Sequence, residues 1–159
     1  MIKKIAYTIM ASWLFIACNN GTDHSGHEGH NTSMEPKTKE DSLYKDVMDG
    51  HNMVMPKIGK VKGYIALAQQ QLDSLNKLPE KAKAAAAGYK ATLDSLIAEL
   101  NIANQSMTQW MDEFVPDSLS EEMEKRIGYL ESEKVKVEKV KSNILGSLEK
   151  AEKLFGKKE

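Results

Sequence analysis

The chain has 159 residues, of which 22 are Lys or Arg and 23 are Asp or Glu, so its formal net charge is −1. Binding to nucleic acid needs clustered basic residues, and this balanced composition gives no indication of such a partner. The single cysteine excludes an internal disulfide, a zinc ribbon and a redox pair of thiols.

The first 17 residues have the pattern of a bacterial lipoprotein signal peptide. A short basic start at Lys3 and Lys4 is followed by an apolar run that is shorter than the roughly 20 residues of a membrane-spanning helix. The run ends in Phe15-Ile16-Ala17-Cys18, which resembles a lipobox, where the peptide is removed and the cysteine is lipidated. We therefore expect a cell-envelope protein anchored to a membrane at Cys18 and facing the periplasm or cell surface. The alternative is an uncleaved N-terminal anchor.

Residues 18–39 are polar and rich in glycine, which predicts a disordered tether that cannot bury enough surface to fold. Three histidines recur there at every third position: His24, His27 and His30. Closely spaced imidazoles on a flexible chain can chelate Cu²⁺, Ni²⁺ or Zn²⁺. The alternative is a soluble spacer that uses histidine without binding metal.

From residue 40 to residue 159 apolar residues recur at alternating spacings of three and four, which is typical of helices that face a partner along one stripe. Pro79 and Pro116 interrupt the pattern. The predicted helices cover about 41–77, 80–114 and 119–155. Because the connections are short, neighbouring helices should be antiparallel. The predicted fold class is all-α, an elongated, coiled-coil-like three-helix bundle; a longer coiled-coil oligomer and a dimer that completes a larger bundle are the alternatives.

Local signals refine these helices. Pro56 lies inside the first one and removes a backbone donor, yet the apolar spacing continues through it, so we expect a kink. Ser118 or Ser120 is placed to cap the third helix. The apolar stripe of the third helix is the least regular and consists of Met123, Ile127 and Leu130, then Lys134 and Lys141, then Ile144 onward.

Two windows of the sequence concentrate methionine with histidine and tryptophan. The first places three side chains on one helical face: Met48, His51 and Met55. The second contributes Met107, Trp110 and Met111. If the first and second helices fold back on each other near residues 78–79, His51 lies about level with Met107 and Met48 lies beside Trp110, to within about one helical turn. A second turn near residue 117 would add Met123. We call the six residues of the two windows the Met/His/Trp cluster.

This cluster has two interpretations. Thioether sulfur and imidazole suit Cu(I) and Ag(I), and an indole face can cap a cation, so the six residues could form a soft-metal site with copper as the candidate cofactor. Alternatively they form a core layer, because methionine fills irregular cores and packs well against aromatic rings. A pocket for a small molecule or lipid at the bundle end is the third interpretation.

Other chemistry has no support in the sequence. The glycines are scattered rather than grouped in a phosphate-binding loop. His51 is the one histidine outside the tether, and no nucleophile or paired carboxylates can be placed beside it. We therefore expect a protein that is not an enzyme.

The two windows together resemble a known group of proteins. Met48-x-x-His51-x-x-x-Met55-Pro56-Lys57-x-Gly59, followed later by Met107-x-x-Trp110-Met111-x-x-Phe114, is similar to small Bacteroidota-type lipoproteins labelled "viral A-type inclusion protein". The resemblance covers roughly residues 41–155 and the lipobox, and it implies a lipid-anchored helical protein without an established activity. Where the group tends to have acidic residues after the histidine and methionine after the lysine, this chain has Asn52, Met53 and Ile58. This departure shifts the cluster toward sulfur ligands.

The leading expectation is thus a binding or adaptor protein of the envelope that captures soft metal ions and has an envelope protein as its partner. The alternative is a structural or protein-interaction module without a metal site.

Overall fold

The structure is a computed structural model, and it describes residues 36–156. The signal peptide, Cys18 and the tether histidines His24, His27 and His30 lie outside the described residues. Within residues 36–156, no helix is long and apolar enough to cross a membrane.

The first helical segment runs from Lys39 to Asn76 and is divided at Pro56. Helix α1 covers Lys39–Val54, a 3-10 turn covers Met55–Lys57, and α2 covers Ile58–Asn76. The expected kink is therefore a single 3-10 turn, because proline has no N–H for the α-helical bond. Helix α1 begins with a capping box, in which Thr38 accepts from the Asp41 N–H and Asp41 bonds back to the Thr38 N–H.

The second helical segment is also divided. Helix α3 covers Glu80–Ala85 and α4 covers Ala87–Glu113, with a break at Ala86. The Ala86 backbone lies at φ −91° and ψ 2°, outside the usual helical range. The connection between the first and second segments is therefore longer than a tight turn at Pro79.

The third helix, α5, covers Met123–Phe155, so the predicted start at residue 119 is wrong. Ser118 and Ser120 do not cap it; the N-cap position is Glu122, which makes no side-chain cap bond. The physical reason lies at Leu119, whose φ of 58° reverses the chain and prevents a helix from starting there. Residues 114–122 instead form a series of turns.

The helices pack in an up-down-up order. Ion pairs join Asp46 to Lys134 and Lys60 to Glu152, so α1 and α2 run parallel to α5. The Trp110–Glu133 hydrogen bond and the Glu99–Lys150 ion pair together show that α4 runs antiparallel to α5. The described residues contain no strand, and the predicted all-α bundle is confirmed.

The core follows the predicted stripes in α1, α2 and α4. Its fully buried members are mostly aliphatic: Val47, Val54, Val61, Leu93, Leu100, Ala103, Ile144 and Ala151. Tyr64 is buried among them, and its hydroxyl donates to the Gly156 carbonyl at 2.8 Å, which ties α2 to the end of α5.

The apolar stripe of α5 differs from the predicted one between residues 126 and 140. The buried positions are Arg126, Leu130, Glu133, Val137 and Val140, which keep the alternating spacing of four and three. Lys134 and Lys141 are therefore not core positions. They lie at the edge of the bundle, where Lys134 pairs with Asp46 and Lys141 pairs with Glu138.

Candidate functional site

The structure brings the two sequence windows together through His51 and Trp110. Their ring centroids lie 5.6 Å apart, and the rings are tilted by 35°. Trp110 is buried at 4% exposure, whereas His51 is partly exposed. The sequence predicted that Trp110 lies beside Met48, whereas the structure places it level with His51. The two positions differ by about one helical turn. The longer connection around α3 accounts for this difference.

The methionines of the cluster occupy three environments. Met107 is completely buried in the hydrophobic core, with 1% exposure. Met48 is half-buried on α1. Met55, which begins the 3-10 turn, and Met111 on α4 are 38% and 37% exposed. The cluster thus spans the bundle from its core to its surface, and only Met107 is fixed by packing on all sides.

The His51 imidazole has a defined hydrogen-bond partner. Its Nδ1 lies 3.0 Å from Oδ1 of Asn52. An amide oxygen only accepts, so this contact is a hydrogen bond in the tautomer that carries its proton on Nδ1 and its lone pair on Nε2. Metal binding through Nε2 requires the same tautomer.

Trp110 also forms a hydrogen bond to a buried carboxylate. Its indole Nε1–H donates to Glu133 Oε2 at 3.0 Å, and Glu133 is 1% exposed. The second oxygen, Oε1, accepts from Lys136 Nζ at 2.7 Å. This hydrogen bond to Glu133 raises the pKa of Lys136 above its usual value of 10.5. The bonds to both oxygens satisfy a charge that would otherwise be costly to bury.

Phe114 extends the aromatic contacts of Trp110 to three helices. The Phe114 ring stacks on Trp110 with ring centroids 4.9 Å apart and on Tyr129 of α5 with centroids 6.3 Å apart. Its centroid lies 6.4 Å from that of Tyr44 on α1. The Tyr129 hydroxyl accepts from the Val115 N–H at 2.9 Å. These contacts fix the indole plane against which His51 packs.

Arg126 connects three segments of the chain at the end of the bundle where α1 and α5 begin. Its Nε donates to the Glu40 carboxylate, and its Nη1 donates to the carbonyls of Pro116 at 2.9 Å and Ser118 at 2.8 Å. Arg126 is 6% exposed. One guanidinium therefore joins the start of α1, the turns of residues 114–122 and the start of α5.

Met123 does not belong to the cluster, although the sequence placed it there. It is 51% exposed at the first residue of α5. The Trp110–Glu133 bond makes these two residues level, so the second connection is centred midway between them, near residue 121.5, rather than near 117.

Sequence reasoning missed Arg126 and Glu133, because charged side chains are rarely buried in a core. A signal was present, since both residues continue the spacing of Leu130, Val137 and Val140 along one face of α5. If the apolar spacing is continued through these positions, both side chains lie in the core, where each charge needs a hydrogen-bond or ion-pair partner.

Within residues 36–156, no group of three or more His, Cys, Asp or Glu side chains is arranged to hold a metal ion. A site for a hard cation is thus not indicated in that part of the chain. The remaining candidate ligands are His51 and the methionines of the two windows, whose nitrogen and sulfur atoms suit a soft ion. No known protein family, characterised protein or solved structure matches this chain.

Proposed function

We propose that this chain is a lipid-anchored, all-α protein of the cell envelope that acts as a binding or adaptor module and captures Cu(I) or Ag(I) at the Met/His/Trp cluster. The lipobox-like end of the signal segment supports an anchor at Cys18. The observation that carries the metal part is the position of His51. Its ring lies half-buried against Trp110, and its Nδ1 faces the Asn52 amide oxygen, a contact that suits the tautomer with the Nε2 lone pair available for a ligand.

The surrounding side chains have distinct roles in this proposal. His51 supplies a nitrogen ligand, and Met48 and Met55, at i−3 and i+4 on the same helical face, supply sulfur. Met111 supplies a further thioether from α4. The negative face of Trp110 stabilises the bound cation.

Met107 and the tether histidines complete this assignment. Met107 lies in the core beneath the site, where its sulfur contributes polarizable contacts and reaches the ion only if the side chain repacks. His24, His27 and His30 collect metal ions for the bundle, with modest affinity because binding orders the tether.

A second candidate function is a structural or protein-interaction module in which the same residues only pack the core. The burial of Met107 at 1% and of Trp110 at 4% favours it. In that case the adaptor role rests on a protein partner in the envelope rather than on a metal ion.

An anaerobic titration with Cu(I) and Ag(I) tests the proposal. The protein is residues 19–159 with His24, His27 and His30 replaced by alanine, in which Trp110 is the only tryptophan and reports on the cluster. We expect stoichiometric binding in competition with a chelator, with a change in Trp110 fluorescence. Binding should be lost in His51→Ala and weakened in Met48→Leu and Met111→Leu, because leucine keeps the packing and removes the sulfur.

The control variants are Met53→Leu and Met123→Leu, which remove exposed thioethers outside the cluster. Equal loss of affinity in control and cluster variants, or no binding by the parent protein, contradicts the metal proposal. The core-layer function predicts the second result.

A further inference from the structure

A continuous groove runs along the surface between α4 and α5, on the half of the bundle that contains α2. It has two sections, of about 640 Å³ and about 310 Å³, that meet at Glu99 and Lys150. Four apolar side chains line the groove among polar ones such as Thr92, Ser95, Ser142 and Asn143: Ala91, Leu96, Ile102 and Leu154. Ile102 is 56% exposed.

The two walls of the groove carry opposite charges. The α4 wall contributes Glu99, and the α5 wall contributes Lys150 and Lys153. Glu99 and Lys150 form an exposed ion pair at 2.7 Å, so they lie at the same level of the bundle. A pair as exposed as this one contributes little to folding, and both groups remain accessible to a partner.

We infer that a second copy of this chain covers the α4–α5 face in a parallel dimer, with its two-fold axis along the bundle. This symmetry places α4 of each copy opposite α5 of the other and keeps equivalent levels together. Glu99 of one copy then faces Lys150 of the other, twice in the dimer. In this orientation each wall of the groove therefore faces a wall of opposite charge on the other copy.

The steric features fit the same arrangement. Gly146 lies on the α5 wall, and a Cβ added there would meet no atom within 4 Å. Ile102 lies on the α4 wall at nearly the same level, given the Glu99–Lys150 pair and antiparallel helices. Ile102 of each copy therefore enters the open space at Gly146 of the other copy.

The direction of the axis agrees with the proposed lipid anchor, and this part of the inference rests on that function. A parallel dimer keeps both copies of α1 at the same end, so two tethers reach one membrane. With an axis perpendicular to the bundle, α4 of one copy would face α4 of the other. Glu99 would then lie opposite a second glutamate, and the two tethers would start from opposite ends of the dimer.

Sedimentation equilibrium of residues 19–159 tests the inference, since this protein contains every helix of the bundle. We expect a reversible dimer. Ile102→Glu should weaken it roughly tenfold or more, because it replaces the apolar contact at Gly146 of the other copy with a charge that the dimer would desolvate. Val135→Glu is the control, because Val135 is 71% exposed on α5 and does not line the groove. A monomer at every soluble concentration overturns the inference and leaves the groove to a helix of another protein.

Reversing the charges of Glu99 and Lys150 distinguishes the contact between two copies from the ion pair within one copy. Glu99→Lys alone and Lys150→Glu alone each break the internal pair and create two like-charge contacts in the dimer, so each should be largely monomeric. Mixing the two variants should restore dimers that contain one copy of each, as measured by native mass spectrometry with one variant labelled with ¹⁵N. Because the internal pair stays broken in both copies, a failure to restore dimers overturns the inference.

The orientation has its own test, in which the double variant Glu99→Lys/Lys150→Glu is mixed with the unaltered chain. A parallel dimer predicts that each chain pairs with itself, since mixed dimers have two like-charge contacts. Preferential mixed dimers would show that α4 faces α4, which contradicts the parallel arrangement. None of these outcomes depends on metal binding, so failure here and failure of the metal proposal are distinguishable.

Discussion

The two halves of the bundle are stabilised differently. The α1 half consists of residues 39–57, 103–113 and 123–143, and it buries two charged side chains, Arg126 and Glu133, beside its aromatic contacts. The α2 half consists of residues 58–76, 87–102 and 144–155, and its buried side chains are apolar except Ser147 and the Tyr64 hydroxyl. Ser147 donates to the Ile144 carbonyl of its own helix.

This difference indicates where specificity is needed. An aliphatic core stabilises a bundle without fixing each side chain, whereas buried polar contacts require one arrangement because unpaired groups are costly. In the α1 half, those contacts orient the indole against which His51 packs. The following changes test this contrast, beginning with the largest expected effect.

Leu100→Ala should lower the free energy of unfolding by roughly 3 kcal/mol, because it leaves a cavity in the apolar core of the α2 half, where Leu100 has 0% exposure. Leu145→Ala removes the same atoms at a position that is 38% exposed and should cost less than half as much. Urea unfolding followed by circular dichroism measures both. Equal costs would mean that the α2 half is not tightly packed.

Arg126→Met should lower the free energy of unfolding by about 2–3 kcal/mol, because methionine fills the space and leaves two carbonyls and Glu40 without their donor. Lys125→Met is the neighbouring control, at a side chain that is 66% exposed, and should change stability by less than about 0.5 kcal/mol. If both variants unfold at the same urea concentration, the buried contacts do not stabilise the α1 half.

Glu133→Leu should cost about 1–2 kcal/mol, because the buried Trp110 N–H loses its acceptor. Glu133→Gln keeps an acceptor oxygen and should cost about half as much. Trp110 fluorescence, followed during unfolding, reports on both variants. A Leu variant more stable than the unaltered protein would mean that the buried charge is a net cost and that its bond to Trp110 does not offset it.

Two glycine substitutions compare an open position on α2 with a closely packed position on α1. Gly63→Ala on α2 meets no atom within 4 Å and should stabilise the protein by about 0.5–1 kcal/mol, because alanine favours the helix. Gly50→Ala on α1 would place a Cβ 3.0 Å from Val137 Cγ1, and the close contact between α1 and α5 should cancel or reverse that gain. Thermal unfolding of both variants decides the sign, and an equal gain at both positions would contradict close packing at Gly50.

The sequence predicted the fold class and the contact between the two windows, because apolar periodicity dominates in long helices. It misplaced the start of α5, because Leu119 adopts a backbone conformation that leucine rarely takes and that propensity does not indicate. It also missed Arg126 and Glu133, since only the packed bundle brings Glu40 of α1 to Arg126 and Trp110 of α4 to Glu133. The separation of Met107 from Met55 and Met111 by burial likewise depends on how the helices are rotated against each other.

The central claim is that His51 binds a soft metal ion through Nε2, and the imidazole ¹⁵N resonances test it most directly. In residues 19–159 with the three tether histidines replaced, His51 is the only histidine, so one ring gives all the signals. On addition of stoichiometric Ag(I), we expect a large shift of Nε2 with Nδ1 still protonated, together with shifts of the Met48 and Met111 methyl groups. An unchanged His51 ring at saturating Ag(I) would contradict the claim and assign the cluster to core packing.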